Sequence, residues 1–265
     1  MKVKELIEEH SIVPRKSMGQ NFLTSDEVAV RIVEECNIKT GDVVLEVGTG
    51  LGILTERILA YGVKVYGVEK DSVLYGLLVE RYKGMSNLFL MCGNILYIRL
   101  SDFGYRRIKI VSNLPYSISS DFLYWVLENR GYVDSCVLTL QKEVAQRVYA
   151  KPGSKIYGSI SVLVQYYMEI NRLFDISGDL FYPSSKVLSQ VIVLRPKECL
   201  SAIDEGVFFN VVHRVFAHRR KQLKNSLGLR VSILGGIDLS RRPEELSWEE
   251  FVRLSNAYKE REDER

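Results

Sequence analysis

From Asp42 onward, short apolar runs and helical stretches alternate, and this alternation constrains the fold more than any other feature of the chain. Residues 42–47 form an apolar run that ends in glycines. Residues 53–61 follow with apolar side chains at 54, 58 and 59, the spacing of one helix face. Residues 63–69 predict a second strand, 72–82 a second helix and 88–92 a third strand; 108–112, 136–140 and 187–194 continue the series. Strands that alternate with helices build a mainly parallel, doubly wound α/β sheet, because each parallel connection must cross a face of the sheet and a helix covers that face. Such a sheet takes its ligands at the carboxyl ends of the strands. After Arg195-Pro196 the strand pattern stops. From Val207 only helical periodicity remains, with Phe208, Val211, Val212, Val215 and Phe216 on one face. The expected organisation is therefore one α/β domain over 1–195 and a small all-helical domain over 196–265.

The first strand leads into Glu46-Val47-Gly48-Thr49-Gly50-Leu51-Gly52. Glycines here permit a tight turn and let a ligand approach backbone N–H groups. The spacing differs from the G-x-G-x-x-G of dinucleotide sites, since Ile53 stands where the last glycine would fall. Glu46 ahead of the turn and Glu69 at the end of the second strand fit a nucleoside whose ribose hydroxyls need a carboxylate acceptor. The trio predicts a Rossmann-like nucleoside site.

A second signal is Asn113-Leu114-Pro115-Tyr116, directly after the apolar run 108–112. Pro115 disfavours helix at Leu114, which frees the Leu114 carbonyl to face a cleft. Asn113 adds a side-chain carbonyl and Tyr116 a stacking face. Two acceptors and a ring suit the exocyclic amine of an extruded adenine, although a strand-ending Asn-x-Pro-Tyr also occurs simply as a turn. Phe181, on a loop from another part of the chain, is a candidate to cover the second face of such a base, with core packing as its alternative reading.

Charge and cysteine usage bound the partners. The net charge is +3, yet no acidic residue lies between Glu205 and Asp238, while Arg214, Arg219, Arg220, Lys221, Lys224 and Arg230 do. Arg219, Arg220, Lys221 and Lys224 are candidate phosphate contacts, against the alternative of a solvated helix face. Cys36, Cys92, Cys136 and Cys199 have no C-x-x-C spacing, so a reduced, cytoplasmic setting without a metal site is expected. The start, Met1-Lys2-Val3-Lys4-Glu5-Leu6, lacks the apolar core of a signal peptide, and no run reaches membrane-spanning length.

In order along the chain, several segments resemble one family. They are Lys16-Ser17-Met18-Gly19-Gln20-Asn21-Phe22-Leu23, the glycine turn, Glu69, Gly93-Asn94-Ile95-Leu96, Asn113 to Tyr116, Gln141 to Arg147, Phe181-x-Pro183-x-x-Lys186-Val187-x-Ser189, His218 to Leu223, and Pro243 to Ser247. From about Lys16 to near Tyr258 the chain resembles the KsgA-type small-subunit ribosomal RNA adenine dimethyltransferases, class I enzymes that use S-adenosyl-L-methionine. The resemblance implies transfer of two methyl groups to each of two adjacent adenines near the 3′ end of small-subunit rRNA, within a pre-small ribosomal subunit. A monomeric enzyme is expected. It also implies that Asn21 and Leu23 close over the cofactor, that Gly48 and its neighbour Gly50 pass beneath the methionine part, and that Glu69 takes the ribose hydroxyls. Asn94 would meet the cofactor adenine, and Asn113 would border both methyl donor and target base. Two positions depart from the family pattern: Asn94 is neutral where an aspartate is usual, and Ser185 replaces a usual proline. Three other readings stay open at this point: a large-subunit rRNA dimethyltransferase, a DNA adenine methyltransferase, and a ribosome-assembly or transcription factor on a methyltransferase scaffold.

Overall fold

The computed structural model describes residues 3–198 and 204–263. Met1, Lys2 and Cys199, which entered the expectations about targeting and cysteine usage, lie outside the described residues. The chain divides into two compact units, residues 1–145 with 170–196, and residues 146–169 with 197–265.

The first unit opens with α1 (Val3–Glu9), β1 (Phe22–Leu23) and α2 (Asp26–Glu34). Ser25 starts α2 by accepting the Val28 amide at 3.3 Å, which satisfies one of the donors a helix start leaves open. The expected alternation follows as β2 (Val43–Val47), α3 (Ile53–Leu59), β3 (Lys64–Glu69), α4 (Ser72–Arg81), β4 (Leu88–Cys92), β5 (Ile108–Asn113), α5 (Ser119–Glu128) and β6 (Val133–Gln141). Then come α6 (Lys142–Val148), α7 (Ser159–Tyr167), β7 (Met168–Ile176), β8 (Phe181–Tyr182) and β9 (Ser189–Pro196). The main sheet has seven strands in the order β4-β3-β2-β5-β6-β9-β7. From β4 to β6 each strand is parallel to its neighbour, and β9 runs antiparallel to β6. The strand order reverses between β2 and β5, so the crevice above their carboxyl ends is the topological switch point. Gly48 follows one of these strands and Asn113 ends the other. All five residues of β2 are buried, as are the first five of β5, which is why both read as continuous apolar runs rather than alternating ones.

The second unit contains α7, α8 (Glu205–Ala217), α9 (Leu223–Leu227), a short hairpin of β10 (Ile233–Leu234) with β11 (Ile237–Asp238), and α10 (Trp248–Asp263). Two features differ from the expected division at 195/196. First, residues 146–169 belong with the C-terminal helices. Tyr166 places its ring 4.7 Å from Phe208 and 5.9 Å from Trp248, an aromatic core that pulls α7 out of the α/β unit. Second, the unit is not all helical. Gly235 and Gly236 both hold positive φ, 57° and 74°, and so turn two residue pairs into a hairpin too short to register as periodicity.

Among the described residues no helix is long and apolar enough to cross a membrane, and no cluster of metal-ligating side chains occurs. Cys36 and Cys136 are buried and unpaired, and Cys92 is exposed.

Candidate active site

The glycine turn after β2 needs its glycines. Gly48, Gly50 and Gly52 hold φ of 71°, 54° and 81°, the left-handed region that side chains disfavour. A Cβ on Gly48 would come within 3.3 Å of the Pro115 ring, so the turn abuts the Asn113–Tyr116 segment directly. Glu69 completes the turn from the side. Its carboxylate accepts the Gly50 amide at 2.8 Å and the Asp71 amide at 2.9 Å. Burial pushes the Glu69 pKa up against those two bonds. Glu46 is buried more deeply still and accepts the Thr55 hydroxyl at 2.6 Å. Burial raises its pKa to about 8, with the Thr55 bond opposing and the Glu69 charge adding. Both carboxylates of the sequence trio border the space at the strand ends; Glu69 accepts two backbone amides there, and Glu46 is bonded to α3 through Thr55.

These groups line a cleft with two lobes. One is lined by Asn21, Leu23, Glu46, Gly48, Gly50, Glu69 and Asn113 among others, and the other by Met18, Gly48, Glu69, Asn94 and Ser117 among others. Gln20, Gly48, Glu69 and Pro115 line both. Every residue expected from the resemblance to meet the cofactor therefore borders this cleft. Asn94 uses its Oδ1 to accept the Leu96 amide at 3.2 Å, opening the short helix Ile95–Tyr97. An aspartate would make the same cap, so the neutral substitution leaves the local backbone intact.

Asn113, Asn21 and Tyr116 form one hydrogen-bonded chain. Asn113 Nδ2 donates to the Asn21 carbonyl at 3.0 Å, and Asn21 Nδ2 donates to the Tyr116 hydroxyl at 3.1 Å. The Tyr116 hydroxyl in turn lies 2.7 Å from the hydroxyl of Ser189, a fully buried residue on β9. Leu114 is buried and donates its amide to the Thr139 carbonyl at 3.2 Å, which pins the segment to β6. Leu114 and Tyr116 do not line either lobe of the cleft.

Phe181 departs from its expected place. It sits on β8, paired with Leu23 of β1, is only 2% exposed and belongs to the hydrophobic core. The core-packing alternative holds for this residue, because pairing with β1 turns it inward. The loop that follows is closed by a bond that a proline at position 185 would forbid, from the Ser185 amide to the Gly178 carbonyl at 2.9 Å. The Ser185 hydroxyl also accepts the Val187 amide at 3.2 Å. The serine thus replaces a ring constraint with hydrogen bonds.

The basic stripe lies in the second unit, and its members differ. Arg219 donates to the carbonyls of Lys155 at 2.7 Å and Ser154 at 3.1 Å, so it fastens residues 154–155 to the end of α8. Arg219 thus has a structural role beside the phosphate contact expected of it. Arg220 and Lys221 are exposed, and Lys224 is half-buried. Sequence reasoning gave no separate role to Arg15, Gln20, Asp71, Thr55 or Ser189. Asp71 was detectable as a helix cap just before Ser72, and Ser189 as part of the quoted Phe181–Ser189 segment.

Comparison with known proteins agrees with this geometry. The model of the ribosomal RNA adenine dimethylase family matches residues 13–260. The chain is 38% identical to the ribosomal RNA small subunit methyltransferase A of Thermotoga neapolitana, over 98% of this chain and 97% of the relative. It is 36% identical to the same-named protein of Bacillus cytotoxicus, over 97% and 95%. In fold it is similar to a dimethyladenosine transferase from Plasmodium falciparum, with a TM-score of 0.76 at 22% identity over 91% of this chain and 98% of that one. The chain belongs to the ribosomal RNA adenine dimethylase family.

Proposed function

We propose that this protein dimethylates the exocyclic amines of two adjacent adenines near the 3′ end of small-subunit rRNA, with S-adenosyl-L-methionine as methyl donor. The observation that carries this reading is the position of Asn113. It ends β5 at the switch point, lines the cleft, and gives its Nδ2 to the Asn21 carbonyl at 3.0 Å. That bond fixes the amide plane and leaves Oδ1 as the acceptor.

The cleft residues fit the donor. Left-handed Gly48 and Gly50 bring backbone close to a bound group, Glu69 offers a carboxylate to ribose hydroxyls, and Asn94 edges the lobe assigned to the adenine. When bound, the donor supplies a methyl group activated by an adjacent sulfonium. An adenine amine is a poor nucleophile because its lone pair is delocalised into the ring. Acceptors at Asn113 Oδ1 and the Leu114 carbonyl draw the amine towards tetrahedral geometry and localise that lone pair. Tyr116, held by Asn21 and Ser189, presents its ring to the extruded base. What remains is alignment for in-line attack, which a fixed site provides without a dedicated base, because the methylated amine is acidic once formed and loses its proton to water.

Arg220, Lys221 and Lys224 are assigned to rRNA phosphates in the second unit, and the substrate to a pre-small subunit met by a monomer in the cytoplasm. The test is to incubate the protein with labelled S-adenosyl-L-methionine and, in parallel, immature small subunits, large subunits and naked DNA, and to identify the product nucleoside. Dimethyladenosine in small-subunit RNA is expected. Label confined to large subunits or DNA overturns the proposal.

A further inference from the structure

We propose that Asp71 is a positioning residue that latches the segment 15–21 over the cofactor cleft and so sets how fast cofactor and product leave. This inference rests on reading the cleft as the cofactor site. The segment is a strap along the cleft: Ser17, Met18, Gln20 and Asn21 all line one lobe or the other. Gln20 borders both lobes. Arg15 and Gln20 are fastened at Asp71, whose Oδ2 accepts Gln20 Nε2 at 2.8 Å and lies 3.3 Å from Arg15 Nη1. Arg15 also gives its amide to Gln20 Oε1 at 2.7 Å, so the latch orients both ends of the Gln20 side chain amide. Met18, between them, and Asn21, next to Gln20, are held by other partners: Ser117 Oγ donates to the Met18 carbonyl at 3.1 Å, and Asn113 donates to the Asn21 carbonyl.

Asp71 is only 3% exposed, so its bond to Gln20 is shielded from water that would otherwise compete. Its own amide donates to Glu69 Oε1, which links the latch to the carboxylate that faces the ribose. The strap thus bridges the ribose end of the site and the amide at the methyl-transfer end. A ligand enclosed beneath it must wait for the Asp71 contacts to break.

The two carboxylate oxygens of Asp71 have separate tasks, which makes the role testable. Oδ1 caps α4 by accepting the Val73 amide at 2.9 Å, while Oδ2 holds the strap. In Asp71→Asn the cap is retained, and the group facing Gln20 and Arg15 becomes a donor that repels both. Stopped-flow measurement of S-adenosylhomocysteine release from the full chain should show dissociation roughly tenfold faster, the loss expected for one charge-assisted hydrogen bond. The helix cap is retained, so the free protein should stay folded, its melting temperature lowered only by the loss of the Gln20 and Arg15 contacts. Adding Gln20→Glu gives the introduced amide an acceptor to donate to, so the double variant should return towards the parental rate. Unchanged release in Asp71→Asn, or equally fast release in the double variant, overturns the latch. A fall in melting temperature without faster release makes the Asp71 contacts with Gln20 and Arg15 part of the scaffold alone and also overturns it. Failure of the parent protein to bind S-adenosylhomocysteine overturns the reading of the cleft, and the latch with it.

Discussion

Replacing Ser189 with alanine should disable the Tyr116 ring without touching the cofactor cleft. The Tyr116 hydroxyl accepts a hydrogen bond from Asn21 Nδ2 and shares a second with the Ser189 hydroxyl, 2.7 Å away, in which either oxygen can donate. Ser189 is fully buried, so no solvent stands ready on that side to take the serine's place. In Ser189→Ala the tyrosine hydroxyl keeps Asn21 and loses its serine partner, a defect worth about 1–3 kcal/mol when a buried polar group is left unsatisfied. Tyr116→Phe creates the complementary defect at Asn21 and Ser189. With both changes the missing bond has no stranded partner on the tyrosine–serine side, so the double variant should be less impaired than the sum of the singles. A coupling of about 1 kcal/mol or more is expected from a double-mutant cycle. The assays are urea unfolding for stability and single-turnover methyl transfer to immature small subunits. Affinity for S-adenosylhomocysteine serves as the control. Ser189→Ala should slow transfer roughly tenfold, about 1.4 kcal/mol, with affinity within about twofold of the parent. A cycle that is additive within about 0.3 kcal/mol, or transfer at the parental rate, refutes the view that Ser189 holds the ring.

Three further outcomes follow from particular contacts. The Glu46 pKa of about 8 stands far above the ordinary unfolded value near 4.3, so the folded state holds the proton more tightly. The stability from this group is fully present below about pH 4.3 and is lost as pH rises towards 8. Melting temperatures of Glu46→Gln should therefore fall less than those of the parent between pH 5 and 8, and parallel curves would contradict the assignment. Gly178→Ala would place a Cβ in collision with the Ser185 carbonyl oxygen, so denaturant unfolding should show a loss of about 1–3 kcal/mol or a displaced 178–185 loop. Arg219→Ala should lower the melting temperature by freeing the Ser154 and Lys155 carbonyls. The pair Arg220→Ala and Lys221→Ala should leave melting unchanged and reduce the salt dependence of RNA binding by about two phosphate contacts. Equal effects of the two sets on melting would remove the distinction drawn between them.

The features legible in the sequence share one physical property: they are fixed by neighbours a few residues away or by burial on both sides. β2 and β5 are buried almost throughout, so their composition alone marks them as inner strands. The glycine turn is readable because three left-handed positions in five residues exclude ordinary side chains. Asn113 to Tyr116 is readable because Pro115 acts on its immediate predecessor. β7 gives no such signal, since Met168–Ile176 lies at the sheet edge with most of its residues exposed or half-buried and carries charges within the run. The residues with roles hidden from local pattern are those that answer to a partner far away in sequence. Phe181 is a loop aromatic until β1 pairs with it, and Arg219 is a surface cation until two carbonyls near residue 154 claim it. The same rule explains why local pattern shows no more of Asp71 than a helix cap. One of its oxygens answers to Val73, two residues on, and is visible in that pattern; the other answers to Gln20, across the cleft. In this chain, then, local spacing locates the site, and whether a polar group there binds a ligand or fastens the scaffold is decided by long-range pairing.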